Sequence, residues 1–372
     1  MDPSASRRGK TIGVIQRGIC AAIAFPSRRQ KPGPFQALLS HSVWRYLLLA
    51  LGCLTLTLLV WHIGPEKIYA AAARVGPGAV FAILVPSLLM YAFEAYGWKL
   101  TLGSAANGIP FLKIFAIRAA GEVVNMTTPT AYVGGEPLKA YLLQRHHIPM
   151  VEGLASVVIA KTIMTLAQVL FILVGIALAF WMLGAEGSSG QIAAAGLLSV
   201  ALLSFGVAAF IFVQKRGLFM SILQTLRGFG LRVAFLESRE DKLRSLDDII
   251  LNFYTHHRSS FYAATALYLL GWLAEALEVY MIIFYLGGPT SPLSAISIGA
   301  LSVFIKGGTF FIPGSLGAQD GGNLLLLKAF GYSDVMGITF ALLRRFRELV
   351  WIGIGLLCLA VMGRRRTEVD QP

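Results

Sequence analysis

Charge is what this chain is short of: Asp, Glu, Lys and Arg together make up 14% of its 372 residues, against about 25% in soluble domains. Acids are the scarcer kind, 19 against 32 Lys and Arg. The length would suit two soluble domains, but 56% of the residues are apolar and the mean hydropathy is +0.68. That excludes a soluble protein and predicts an all-α polytopic membrane protein. Cysteine is scarce too. Cys20, Cys53 and Cys358 lie far apart with no CxxC and no neighbouring histidine, so neither a disulfide framework nor a zinc or iron–sulfur site is expected. No GxxxxGK[ST] loop is present, so ATP-driven work would need a partner chain. No cofactor is expected.

The bases are clustered. Eight lie in residues 1–45, eight in residues 214–258 and three at Arg364, Arg365 and Arg366; the other thirteen are spread over about 300 residues. Cytoplasmic loops collect Lys and Arg, which places the tail at 1–44, the loop at 214–258 and the tail at 364–372 in the cytoplasm. Nucleic acid is set aside, because no basic run carries the interleaved aromatics of a binding platform. The tail at 1–44 is Arg-rich with one acid, Asp2, but its longest apolar run, 18–25, is too short for a cleaved secretory leader. The 214–258 loop alternates apolar and basic residues, as an interfacial helix on an anionic leaflet would. Trp44, Trp61 and Trp181 near span ends read as interfacial anchors.

A membrane-crossing helix needs about 20 apolar residues. Six stretches qualify: 46–63, 78–98, 153–183, 191–213, 259–286 and 335–362, the last with Arg344, Arg345, Arg347 and Glu348 in its first half. Two more, 111–135 and 293–322, are apolar but interrupted by TTPTAYVGGE and FIPGSLGAQDGG. Proline and clustered glycine break helices, and freed backbone groups cannot face lipid. Each stretch therefore reads as a broken-helix hairpin shaped by Pro129, Gly134 and Gly135 in the first and by Pro313, Gly317, Gly321 and Gly322 in the second. Isolated glycines such as Gly175 and Gly271 read as helix-packing positions.

A shift of 184 residues aligns the two regions without a gap, with 13 identities in the 73 pairs of residues 89–161. Glu94 falls on Glu278, Pro129 on Pro313, Glu136 on Asp320, Gly153 on Gly337 and Lys161 on Arg345. With both ends cytoplasmic, the first hairpin enters from the cytoplasm and the second from the other face. The expectation is an inverted-topology repeat: a first membrane half at 45–213 (repeat 78–183) and a second at 259–363. Transporters of this layout place their substrate site near the midplane, where broken helices meet.

TPTAYVGGEPLKAYLL with SVVIAKTIM, and FIPGSLGAQDGG with ALLRRFRE, resemble the paired motifs of the flippase-like transmembrane domain of lysylphosphatidylglycerol synthases. The second motif is similar to hopanoid-biosynthesis-associated members. The resemblance spans roughly residues 45–362 and implies movement of a lipid between leaflets of a bacterial inner membrane. Its motif positions map onto Gly134, Gly135, Glu136, Lys161, Pro313, Gly317, Asp320 and Arg345. Two of these depart from the family pattern. Lys161 and Asp320 stand where the family more often has Arg and Glu, and lysine gives up bidentate phosphate binding. The aminoacyl-transferase domain of the synthases is not expected, with only ten residues after Met362.

Ionisable residues inside a membrane are costly and are functional candidates by default. Arg118 with Glu122, and Arg344 with Glu348, are four apart and read as couples that satisfy themselves on one helix face. Glu136, Asp320, Lys161 and Arg345 are read as having no partner of opposite charge at helical spacing, and so as substrate or translocation residues. Glu94 and Glu278 stay open between the two roles. His146, His147 and Glu152 only loosely match an HxxxxD acyltransferase pattern. The favoured function is therefore transport of a phospholipid or hopanoid by a protein that is not itself an enzyme. A membrane-embedded lipid-modifying enzyme acting through Glu136 and Asp320, and a scaffold for lipid-biosynthesis proteins, are the alternatives.

Overall fold

The computed structural model describes residues 64–128, 134–183, 239–309 and 317–364, most of 201–228, and a few positions between 50 and 61. Outside them lie the expected tail at 1–44, most of the span at 46–63, the start of the span at 191–213, the hairpin prolines Pro129 and Pro313, and the C-terminal tail. Among the described residues all regular structure is helical. The helices are α1 (Pro65–Val75), α2 (Pro77–Leu102), α3 (Phe111–Thr127), α4 (Gly135–Gln144), α5 (Met150–Leu183), α6 (Leu218–Gly228), α7 (Glu240–His256), α8 (Arg258–Tyr285), α9 (Pro292–Gly308), α10 (Ala318–Ala329) and α11 (Asp334–Arg364).

Among the described residues, three helices are long and apolar enough to cross a membrane: α2 with its 3-10 extension (Pro77–Ala106), α5 (Met150–Met182) and α8 (Arg258–Tyr285). At 31 residues α11 is as long, but its Arg344, Arg345, Arg347 and Glu348 break the apolar run. By contrast α3 and α4, of 17 and 10 residues, rise about 25 and 15 Å and fall short of a hydrocarbon layer of about 30 Å.

The helix ends follow local chemistry. Pro77 and Pro292 begin α2 and α9, where a missing N–H costs nothing. Ser291 and Ser294 form a reciprocal capping box at the start of α9. Gly317, at φ 75°, takes a left-handed turn into α10, and its N–H donates to Asp320 Oδ2 at 3.2 Å. In the central loop Asp247 of α7 accepts from the Phe219 and Met220 N–H groups, at 3.1 and 2.9 Å, and so caps α6.

The order α2–α3–α4–α5 recurs as α8–α9–α10–α11, and at a shift of 184 residues the corresponding helices begin within three residues of one another. The packing is exchanged between the halves. α2 and α8 lie against each other, α3 packs on α11, and α9 packs on α5. Each exchanged contact closes on a glycine. A Cβ at Gly355 would stand 2.7 Å from Val123 Cβ, and one at Gly175 would stand 2.1 Å from Ala300 Cβ. Ser297 also donates to the Gly175 carbonyl at 2.9 Å.

The interior joins the halves. Tyr91 of α2 stacks on Trp351 of α11 at 3.9 Å, and Trp351 Nε1 donates to Ser87 Oγ at 3.0 Å. Large apolar side chains such as Phe81, Leu270, Leu273 and Leu277 are exposed on the long helices, a surface suited to lipid.

Candidate functional site

A cavity of about 300 Å³ lies where the apolar helices meet, and its wall is dense with charge. Helical periodicity explains which residues reach it. Tyr91, Glu94 and Trp98 come from one face of α2, Arg118 and Glu122 from α3, and Glu136 and Lys139 from the first turn of α4. Lys161 comes from α5, Glu275 from α8, Lys306 from α9, and Arg347 with Glu348 from α11. Both halves therefore contribute.

Most of these charges are already neutralised. Arg118 pairs with Glu94, and its guanidinium lies 5.0 Å from the Tyr91 ring centre. Arg344 pairs with Glu275. Arg347 holds the fully buried Glu278 at 2.7 Å. Lys306 reaches Glu348 at 3.1 Å, and Arg345 holds both Glu348 at 2.7 Å and Asp320 at 2.8 Å. Lys139 contacts both oxygens of Glu136 at 3.0 Å. Burying ions is tolerable only with such partners.

The spacing argument for Arg118–Glu122 and Arg344–Glu348 is corrected here. Both arginines turn away from their own helix and pair across to α2 and α8, where an acid that would otherwise be buried alone needs a counter-charge. The same argument overlooked the three-residue spacings Glu136–Lys139 and Arg345–Glu348, each of which forms an ion pair.

The hairpin glycine Gly135 sits where α4 meets α3. A Cβ there would lie 1.9 Å from the Gly121 carbonyl oxygen, and the Gly135 N–H donates to Asn125 Oδ1 at 2.7 Å. Asn125 Nδ2 donates in turn to Glu136 Oε1 at 3.0 Å. Asn125 thus fixes the start of α4 and the Glu136 carboxylate together. Gly134 precedes α4, Gly317 makes the turn into α10, and Gly321 lies in the first turn of α10 with open space around it.

Of the residues singled out in the sequence, Glu94, Glu136 and Lys161 line the cavity. Asp320, Arg345 and Glu278 are not in its lining and instead form ion pairs. Sequence reasoning missed Glu122, Lys139, Lys306, Glu275, Arg347 and Glu348 as wall residues. A signal existed: Glu122 falls on Lys306 at the same 184-residue shift, but a search for like residues passes over a reversal of charge.

Two wall charges differ from the rest. Among the described residues, Lys161 Nζ has neither a hydrogen bond nor an ion pair. Among the same residues, the one hydrogen bond to the Glu122 carboxylate comes from the Asn125 amide, at 3.5 Å. His146 and His147 lie apart from this, in the turn between α4 and α5. His147 is exposed at φ 63°, and burial, helped by the charge of Lys113, pushes His146 below the usual imidazole range. Among the described residues no group of three or more His, Cys, Asp or Glu could hold a metal ion.

Comparison with known proteins agrees with a membrane role. The family described as lysylphosphatidylglycerol synthase TM region matches residues 46–355. The chain belongs to this family, and it is a membrane protein. It is similar to UPF0104 membrane proteins of three archaea. The one from Methanothermobacter thermautotrophicus is 24% identical over 340 residues, covering 87% of this chain and 96% of the relative. That from Pyrococcus horikoshii is 23% identical, over 88% and 99%. That from Methanocaldococcus jannaschii is 22% identical, over 87% and 96%. No solved structure matches the chain.

Proposed function

We propose that this protein moves a lipid between membrane leaflets, admitting the headgroup to the charged cavity while the acyl chains stay among the lipid tails. The observation that carries this reading is the cavity itself: about 300 Å³, lined by charges from both halves, amid helices whose outer faces are apolar. Pockets for small ligands begin at about this size. A wall this polar within a membrane protein needs a polar occupant, and a lipid headgroup is one that arrives from the membrane.

The exchanged packing supports an approximate two-fold relation between the halves, and an axis in the membrane plane follows if six spans and two hairpins place both termini in the cytoplasm. Inverted repeats of this kind alternate access around a fixed central site. The location we assign is a bacterial inner membrane. Transport is favoured over catalysis because no serine, cysteine or histidine is among the described residues lining the cavity, and its acids are held in ion pairs apart from Glu122. A phospholipid is favoured over a hopanoid because Lys161 offers a free cation to a phosphate. A hopanoid polyol would draw on carboxylates as hydroxyl acceptors.

The test is leaflet exchange in proteoliposomes, with fluorescent phospholipid and a hopanoid analogue in parallel. Protein-dependent exchange is expected for the phospholipid. Chemical turnover of either lipid in detergent, where leaflets do not exist, would replace transport with catalysis. Folded protein that does neither would make it a scaffold.

A further inference from the structure

Resting on that reading, the identity of the lipid follows one step further from the balance of charge in the wall. The cavity is lined by five acids and five bases. Glu94 and Glu136 are matched by Arg118 and Lys139, and Glu348 by Lys306. Glu275 and Arg347 are matched by Arg344 and Glu278, which are not in the lining. That leaves one carboxylate, Glu122, and one ammonium, Lys161. Both lie in the wall of one cavity, yet among the described residues no ion pair joins them. An unpaired charge in a membrane interior is expensive.

We propose that Lys161 and Glu122 together bind a zwitterionic phospholipid headgroup, the phosphodiester at Lys161 and the cationic nitrogen at Glu122. An anionic headgroup would satisfy Lys161 but would face the Glu122 carboxylate. A net-cationic headgroup would do the reverse. Only an occupant carrying both signs neutralises the wall without displacing an existing ion pair. The Tyr268 and Trp272 rings in the same wall add faces that favour a cationic nitrogen.

The experiment titrates purified protein with short-chain phosphatidylethanolamine and, separately, short-chain phosphatidylglycerol, and measures leaflet exchange of both in proteoliposomes. Wild type should bind phosphatidylethanolamine about tenfold more tightly. Glu122→Gln should erase that preference while phosphatidylglycerol affinity holds or rises. Lys161→Gln should weaken both lipids, and Lys161→Arg should restore them. Thermal unfolding of each variant confirms that it is folded. Equal wild-type affinities, binding of neither lipid, or a preference unchanged in Glu122→Gln would overturn the assignment. Selective binding without exchange would defeat transport and leave the assignment standing. Exchange of both lipids at equal rates, unaffected by Glu122→Gln, would do the opposite.

Discussion

Lys161 and Arg345 occupy corresponding positions in the two halves, on α5 and α11, and they do opposite things. Arg345 is held by two acids, Asp320 and Glu348, whereas Lys161 lines the cavity with no hydrogen-bond or ion-pair partner among the described residues. Two differences between the halves account for this. Glu136 is engaged by Lys139, but the position matching Lys139 is Asn323, so Asp320 has no neighbouring lysine and turns to Arg345. Glu348 lies three residues beyond Arg345, but the matching residue beyond Lys161 is Met164. A repeated framework has thus been made into one closed half and one open half by changing a lysine and a glutamate. The open half supplies both unpaired charges.

The largest expected effect breaks the closed half. Arg347→Met strands Glu278, which is fully buried, and should cost about 3–5 kcal/mol of stability. Thermal unfolding in detergent checks this, and the double change Arg347→Met with Glu278→Leu should recover most of the loss. Next, Gly135→Ala drives a methyl into the Gly121 carbonyl, 1.9 Å away, and should cost about 1–3 kcal/mol or more. Gly321→Ala, with open space around it, should be neutral or stabilising by about 0.5–1 kcal/mol.

Much of this was legible in the sequence. The helical class follows from the apolar runs, and the recurring order of helices matches the 184-residue shift that sets Glu94 on Glu278. Partner choice was not. Arg118 and Arg344 have an acid four residues on, yet each pairs with an acid on another helix, because Glu94 and Glu275 are buried within reach. Helical spacing reports only what one helix can do for itself. Which charges remain unpaired depends on three-dimensional neighbours, so Glu122 was taken for a structural residue and Asp320 for a cavity residue.

A finer change sharpens the comparison. Met164→Glu places an acid three residues beyond Lys161 and should close the open half as Glu348 helps close the other. The expected gain in stability is small, about 0.3–0.5 kcal/mol for a pair at helical spacing, but lipid binding should fall. Smallest of all, Lys161→Gln and Glu122→Gln remove charges with no ion-pair partner and should shift stability by no more than about 0.5 kcal/mol.

The central claim is that the open half is where a lipid headgroup passes. Leaflet exchange of fluorescent phospholipid in proteoliposomes tests it most directly, comparing wild type with Met164→Glu. The account predicts protein-dependent exchange in wild type and its loss in a fully folded Met164→Glu protein. Exchange that continues unchanged with Lys161 paired would contradict it.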